Sequence, residues 1–167
     1  VMYTRPRKNM LKLLLLMDSG GSMEPYQQLC SLLFQSVSKV GHFKDLKIYY
    51  FHNRPGSLIY QDPTLTLSSA VETEGLLKNL SSDYRAIFVG DGELLGRDGA
   101  SSSKSGLDWL KQFKKKYPHA IWLHPQEPPA GSSYWTQSFR LIGEQFDMYQ
   151  VTVEGLTQGM RKLLANR

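Results

Sequence analysis

Oxygen-bearing side chains follow two apolar segments of the sequence at the points where buried strands are predicted to end. A nearly apolar run at residues 11–17 is followed at once by Asp18, two glycines and Ser22. A second run, "AIFVG", is followed by Asp91. Two carboxylates that are brought close together repel each other unless a cation lies between them. Because oxygen ligands favour a hard ion, the pattern predicts a Mg²⁺ site, with Mn²⁺ or Ca²⁺ as alternatives.

Each acidic residue also has an ordinary structural interpretation. Asp18 precedes a helix-like segment and suits a helix N-cap, for which Asp and Ser are favoured. Asp91 precedes a glycine and suits a turn. Taken singly, either interpretation is as good as a metal ligand. The occurrence of both carboxylates at strand ends favours the metal interpretation.

Strand-like and helix-like segments alternate along almost the whole chain. Short apolar or aromatic runs indicate strands near residues 11–17, 46–53, 58–60, 85–89, 119–125 and 148–153. Apolar residues at spacings of three and four indicate helices near residues 26–40, 74–80, 107–117, 136–145 and 156–164. The alternation predicts an α/β fold: a three-layer, doubly wound, mostly parallel sheet with helices on both faces. The short segment at residues 58–60 is expected to return as one antiparallel edge strand.

This architecture brings the two acidic strand ends to one place. In an open α/β sheet, ligands bind outside the carboxyl ends of the strands, where the strand order reverses. Asp18 and Asp91 both follow such ends. We therefore expect their side chains to converge with that of Ser22, which falls at the start of the following helix.

Composition and length indicate one soluble domain. The chain has 167 residues, of which 41% are hydrophobic and 21% charged, values that are ordinary for a globular protein. We assign residues 1–9 to a linker from a longer chain and residues 10–167 to the domain. The apolar run before Asp18 is too short to span a bilayer, so no membrane association is expected.

Charge and cysteine content narrow the function further. The net charge of +5 owes much to four lysines on one helix-like segment, Lys111, Lys114, Lys115 and Lys116. Without an accompanying arginine–aromatic pattern, this indicates a solvated helix face rather than a nucleic-acid surface. Cys30 is the single cysteine, so no internal disulfide can form. Its apolar helix position suggests a buried thiol in a reducing, cytoplasmic compartment.

Several stretches resemble the von Willebrand factor A (VWA) domains. "LLLLMDSGGSM" resembles their opening motif, an apolar strand followed by D-x-S-x-S, and "AIFVGDGE" resembles their second metal-site strand. The CoxE-like branch of the family is similar in the order of "KIYYFHN", "DYRAIFVGDGEL", "GLDWLKQF", "AIWLHP" and "FDMYQVTVEGLTQGMRKL". The resemblance runs over residues 11–164. It implies a Rossmann-like sheet with a metal-ion-dependent adhesion site (MIDAS) at its carboxyl edge.

The resemblance also implies a ligand set. Asp18 and Ser22 match the first and last positions of D-x-S-x-S, and Asp91 matches the aspartate of the second strand. A loop threonine completes the family's site, and Thr73 is our choice because it precedes an apolar helix-like stretch. Thr64 and Thr66 are rivals. The middle serine is replaced by Gly20, so either water fills that position or the site is weak or empty without a partner.

Catalytic motifs offer a competing interpretation that the sequence supports less well. The haloacid-dehalogenase pattern would need a second aspartate at the position of Gly20. Neither the phosphate loop G-x-x-x-x-G-K-[ST] nor G-x-S-x-G is present. His52 and His124 fall near strand ends, where a histidine is more often structural than catalytic. We therefore expect a binding protein rather than an enzyme, with a metal-dependent hydrolase as the alternative and a metal-free scaffold as a further one.

If a partner protein binds through the metal ion, the residues around the ion are expected to contact it. A partner's Asp or Glu would take the open position on the metal, and the loops around it would give specificity. The residues expected to face the partner are Met23, Glu24, Tyr26, Glu93, Tyr134 and Trp135. Trp109 and Trp122 are expected in the core. The resemblance to CoxE-like proteins implies an adaptor that works with a MoxR-type AAA+ ATPase, or with its substrate protein, in protein remodelling or metalloenzyme maturation.

Overall fold

The computed structural model describes residues 11–20, 23–40, 43–92, 106–124 and 133–165. In these ranges the strands are β1 (Leu11–Asp18), β2 (Phe43–Phe51), β3 (Leu58–Tyr60), β4 (Ala70–Glu72), β5 (Tyr84–Val89), β6 (Ala120–His124) and β7 (Asp147–Gln150). The helices are α1 (Glu24–Val40), α2 (Thr73–Asn79), α3 (Gly106–Lys116), α4 (Ser133–Gly143) and α5 (Val153–Ala165). A 3₁₀ turn, Leu67–Ser69, precedes β4.

The strands form one sheet in the order β4-β3-β2-β1-β5-β6-β7. β1 lies parallel to both β2 and β5, and β5, β6 and β7 continue in parallel. From β1 the chain first builds outward through β2 and β3, and later builds in the other direction from β5 to β7. The strand order therefore reverses between β1 and β5, which is the switch point at which such sheets bind ligands. The predicted doubly wound α/β fold is confirmed.

The strand predicted at residues 58–60 is present and runs antiparallel to β2. A further strand, β4, lies outside it and pairs with it in antiparallel fashion. The sequence analysis did not predict β4, because three residues within a hydroxyl-rich stretch are too few to show the alternation of a strand. As a result, β3 is the one strand of the described sheet that runs against the others, and β4 forms the edge.

Alternate residues of β1 point into two separate cores. Leu14 and Leu16 face the layer that contains α2, α3 and α4. Leu13 and Leu15 face the layer that contains α1 and α5. All four are at most 1% exposed, as expected for a central strand covered on both faces. The buried positions predicted for Cys30, Trp109 and Trp122 are confirmed.

Among the helices that the structure describes, none is both long enough and apolar enough to cross a bilayer.

Candidate metal centre

Asp18 is the last residue of β1, and its side chain is held by backbone groups from two segments. Its Oδ1 atom accepts a hydrogen bond from the amide of Gly20, at 2.7 Å, and another from the amide of Asn53, at 3.1 Å. Gly20 lies in the turn after β1, and Asn53 follows β2 with a positive φ of 64°. Because both donors belong to the backbone, the orientation of this carboxylate is built into the fold.

The second oxygen of the same carboxylate has no such partner. Asp18 is 3% exposed, and within the described part of the chain its Oδ2 atom is buried without a hydrogen bond. Burying a carboxylate oxygen without a donor is costly. Since nearly all buried polar atoms in proteins are satisfied, this atom is the candidate position for a donor or a cation.

Asp91 is the second carboxylate at this place. It follows β5 by two residues and is 7% exposed, and β5 is the parallel neighbour of β1. Burial raises the pKa of Asp18 to about 6, and the negative charge of Asp91 adds to this rise. The hydrogen bonds from Gly20 and Asn53 oppose the rise, as does the charge of His52. The structure thus brings the two predicted carboxylates together in a buried setting.

Gly90 permits the close approach of the two strand ends. A Cβ atom on this residue would lie 3.2 Å from the Cβ of Asp18 and 3.3 Å from Cζ2 of Trp122. The indole nitrogen of Trp122 donates a hydrogen bond of 3.0 Å to the carbonyl of Gly90. A side chain at position 90 would therefore press on the Asp18 carboxylate or on the ring behind it.

Gly20, the position of the missing serine, lies directly against His52. A Cβ atom on Gly20 would be 2.6 Å from Cδ2 of His52 and 3.0 Å from Oδ1 of Asp18. The imidazole ring thus takes the space into which a side chain at position 20 would project. This contact links two turns that are far apart in sequence, and the sequence analysis missed it. The strand-end location of His52 was its only sequence signal.

His124, the other strand-end histidine, belongs to the core packing. It is the last residue of β6, and its ring meets that of Phe139 on α4 edge-on, with centroids 4.8 Å apart. The structural interpretation of this histidine fits that contact.

Thr73, the predicted threonine ligand, is the first residue of α2 and is fully buried. Its hydroxyl donates a hydrogen bond of 2.5 Å to the carbonyl of Gly56. The preceding strand, β4, lies three strands from β1, which is about 14 Å at the usual strand spacing. Thr73 can share an ion with Asp18 only if the first residue of α2 extends across β2 and β3 towards the end of β1. Its role as a ligand therefore stays a prediction.

The rival threonines lie in an exposed turn. The hydroxyls of Thr64 and Thr66 both donate to the carboxylate of Asp62, the latter at 3.2 Å. Both residues are exposed. Their hydroxyls serve this local turn in the described structure, which weakens the case for either of them as the metal ligand.

Three of the predicted partner contacts lie at the start of α1, and they differ in accessibility. Glu24 is exposed and Tyr26 is half-buried against the core. Met23, by contrast, is 1% exposed and is part of the core on the α1 side. Its prediction as a partner contact therefore has to be corrected, because this side chain packs in the core and not at the surface.

The remaining predicted residues fall outside what the structure describes. Ser22 and Glu93 lie outside the described ranges. Tyr134 and Trp135 form part of the first turn of α4, but only their backbone is described. All four assignments stay predictions.

The available ligands fit a hard cation better than a soft one. Among the described residues, no group of three His, Cys, Asp or Glu side chains is arranged to hold a metal. A cation here would be held by Asp18 together with Asp91, and completed by hydroxyl groups and water. Mg²⁺ keeps several waters and is often bound through one or two carboxylates, whereas Zn²⁺ favours nitrogen and sulfur ligands. The unpaired Oδ2 atom of Asp18 is the observation that supports this fit.

Comparison with known proteins identifies no family for this chain. No family model matches the chain, and a search of curated proteins finds no match. Among solved structures, the chain is similar to a response regulator receiver domain protein from Clostridium thermocellum. The two are 14% identical, the alignment covers 93% of this chain and 95% of that chain, and the TM-score is 0.46. Fold and site together define an α/β domain with a buried carboxylate pair at its switch point.

Proposed function

We propose that this chain is a metal-dependent protein-interaction module. Asp18 and Asp91, with the hydroxyl of Ser22 and water, hold a Mg²⁺ ion, or Mn²⁺ or Ca²⁺ in its place. The Asp or Glu side chain of a partner protein completes the coordination. The observation that carries this proposal is the buried Oδ2 atom of Asp18, which has no hydrogen-bond donor in the described structure and lies in the field of a second buried carboxylate.

The electrostatics of the site favour this role. Two buried carboxylates repel each other, and a divalent cation between them converts that repulsion into attraction. Two carboxylates neutralise the charge of a divalent cation. The water molecules that complete its coordination can still exchange for a third carboxylate. In a partly desolvated setting such an ionic contact is stronger than at an open surface. Partner binding then depends on the ion.

The wider assignment rests on the resemblance to VWA domains of the CoxE-like branch. By that resemblance, the module is a cytoplasmic adaptor for a MoxR-type AAA+ ATPase, or for the ATPase's substrate protein. The hydrolase alternative would use the same ion to activate water. We favour binding because the sequence offers the ion-holding carboxylates without a recognisable nucleophile motif.

The first experiment measures thermal stability during titration with Mg²⁺. At a concentration of about 100 times Kd, bound ion stabilises the folded state by about 2.7 kcal/mol, which is about 5–10 °C in Tm for a domain of this size. Asp18→Ala should abolish the shift. Asp83→Ala is the matched control, because this carboxylate is exposed and lies at the opposite edge of the sheet. A wild-type protein without any shift would favour the metal-free scaffold.

The second experiment separates adaptor from hydrolase. Purified MoxR-type ATPase is passed over the immobilised chain in Mg²⁺ and in EDTA, and turnover of p-nitrophenyl phosphate is measured in parallel. Capture that needs Mg²⁺, is lost in Asp18→Ala and occurs without turnover supports the adaptor. Turnover that disappears in Asp18→Ala would establish the hydrolase instead.

A further inference from the structure

Among the described residues, helices leave one face of β2 partly open on the side of the sheet that carries α1. Leu13 and Leu15 on β1 are 1% and 0% exposed on this face. Their register partners on β2 are Leu46 and Ile48, and Ile48 is 36% exposed. Leu46 still packs partly against the core on the α1 side, so among the described residues helical cover thins out across β2 rather than at its boundary with β1.

Topology explains why this face is open. Parallel strands are joined by crossover helices that cover the sheet, but β2 is joined to β3 by a turn. The next helix, α2, packs on the opposite face, where Tyr49 and Phe51 of β2 are buried with Leu76. Within the described ranges, α1 is thus the helix that borders the open face of β2.

The open face is the floor of a groove of about 520 Å³. Leu46, Ile48 and Tyr50 form the floor, and one end of the groove is formed by Asp18 and Ser19. The floor residues alternate along β2, so their side chains are spaced by about 6.7 Å. The groove therefore begins at the candidate metal centre and runs about 13 Å down the strand.

The wall of the groove is a polar stripe on α1. Gln27, Ser31 and Gln35 lie one helical turn apart and are all exposed. Each glutamine amide offers both donors and an acceptor, which is the hydrogen-bonding pattern of a peptide group. Apart from Asp18, no charged side chain lines the described groove.

We propose that this groove binds an extended apolar segment of a protein partner, laid along β2. Apolar side chains at every second position of such a segment repeat at the spacing of the floor residues, while its backbone amides face the glutamines of α1. About four residues fill the length of the groove. The acidic residue that reaches the ion lies at the Asp18 end of the segment, a detail that rests on the proposed function.

The test uses short random peptides displayed on phage and selected against the wild-type chain in Mg²⁺. We expect enriched peptides with an acidic residue beside alternating apolar residues. Synthetic copies are then titrated by fluorescence anisotropy against Ser31→Trp, which fills the groove from an exposed helix position. Affinity should fall about tenfold or more. Gln28→Trp is the matched control, because Gln28 is exposed on the same helix but does not line the groove, and it should leave the affinity unchanged.

A second variant, Ile48→Lys, places a charge on the floor and should weaken binding to a similar extent, while its thermal melting reports whether it folds. A selection that enriches no peptide, or peptides that bind Ser31→Trp and wild type equally, would overturn the groove. Binding that is lost in Ser31→Trp but survives in EDTA and in Asp18→Ala supports the groove while overturning the metal-dependent function. The two proposals therefore fail separately.

Discussion

At the amino edge of the sheet, polar groups pair with one another, whereas at the carboxyl edge the buried carboxylate of Asp18 is exposed to the like charge of Asp91. Lys12, near the start of β1, forms an ion pair of 3.2 Å with Asp83. Tyr84, at the start of β5, donates its phenolic hydrogen to Asp45. Each of these groups has a complement elsewhere in the chain, and their role is to close the fold.

At the carboxyl edge, one oxygen of Asp18 is not paired in this way within the described structure. Asp18 has one oxygen held by two backbone amides and another with no partner in the described structure, and Asp91 raises its pKa further. A buried group that destabilises the isolated fold is expected where ligand binding supplies compensating free energy. Such groups concentrate at functional sites. Burial alone therefore does not distinguish Asp18 from the paired groups at the amino edge; its unpaired oxygen does.

The largest difference in stability is expected from Asp18→Asn in the presence of a chelator. Burial raises the pKa of Asp18 from 3.8 to about 6. Between these two pH values the unfolded chain loses its proton before the folded chain does, so stability falls as pH rises. The loss is about 3 kcal/mol by about pH 8. Urea denaturation should therefore show that the substitution to asparagine removes this loss.

The control is the same pair of proteins at about pH 4, where the carboxyl is protonated and the free energies of unfolding should nearly agree. In Mg²⁺ the order should reverse, because only the wild-type chain gains the ion. If the two proteins kept a constant difference in stability at both pH values, Asp18 would not be the destabilising group.

A smaller effect is expected from Gly20→Ser, which restores the hydroxyl of D-x-S-x-S. Its Cβ atom would meet the ring of His52, so we expect a cost of about 1–2 kcal/mol and no gain in Mg²⁺ affinity. The double variant with His52→Ala gives the hydroxyl room, and its Mg²⁺ affinity, measured by calorimetry, should exceed that of the wild-type chain. An affinity gain in the single variant would show that His52 does not block position 20.

At the amino edge, Tyr84→Phe should cost about 1 kcal/mol, the usual net contribution of a hydrogen bond. The hydrogen bond from Tyr84 is the main reason that the pKa of Asp45 lies below its ordinary value. In the variant, that pKa should move back up, as measured by NMR titration. The response to Mg²⁺ should be unchanged, and a changed response would mean that the two edges are coupled.

The smallest effect is expected from Lys12→Met, which removes the ion pair with Asp83. The side chains of this pair are 25% and 61% exposed, and such pairs contribute about 0.5 kcal/mol or less. Chemical denaturation at low and high salt checks this value. A loss of stability as large as the effect of Asp18→Asn would contradict the proposed difference between the amino and carboxyl edges of the sheet.

The sequence predicted the carboxylate pair because the pair depends on a simple rule. The carboxyl ends of parallel strands meet at one edge, and the apolar runs before Asp18 and Asp91 are visible without any structure. The contact between Gly20 and His52 depends instead on how two turns are oriented after β1 and β2 pair, and no local pattern carries that information. Met23 was misplaced for a similar reason, since one turn decides which way its side chain points.

The open face of β2 could not be predicted from the sequence either. The alternation of Leu46, Ile48 and Tyr50 predicts a strand with one buried face. The exposure of Ile48 follows from the turn that joins β2 to β3 in place of a crossover helix, together with the position of α2 on the other side. Tertiary placement of helices, rather than strand propensity, decided this region.

Trp122 touches the same glycine that touches Asp18. Its indole donates to the carbonyl of Gly90, its ring lies 3.3 Å from where a Cβ on that residue would stand, and it stacks on Phe88. A displacement of the β5 end would therefore be passed to a fluorophore inside the core. If the proposed ion binds beside Asp18, the emission of Trp122, separated from that of the other two tryptophans by their replacement with phenylalanine, would report binding without a label.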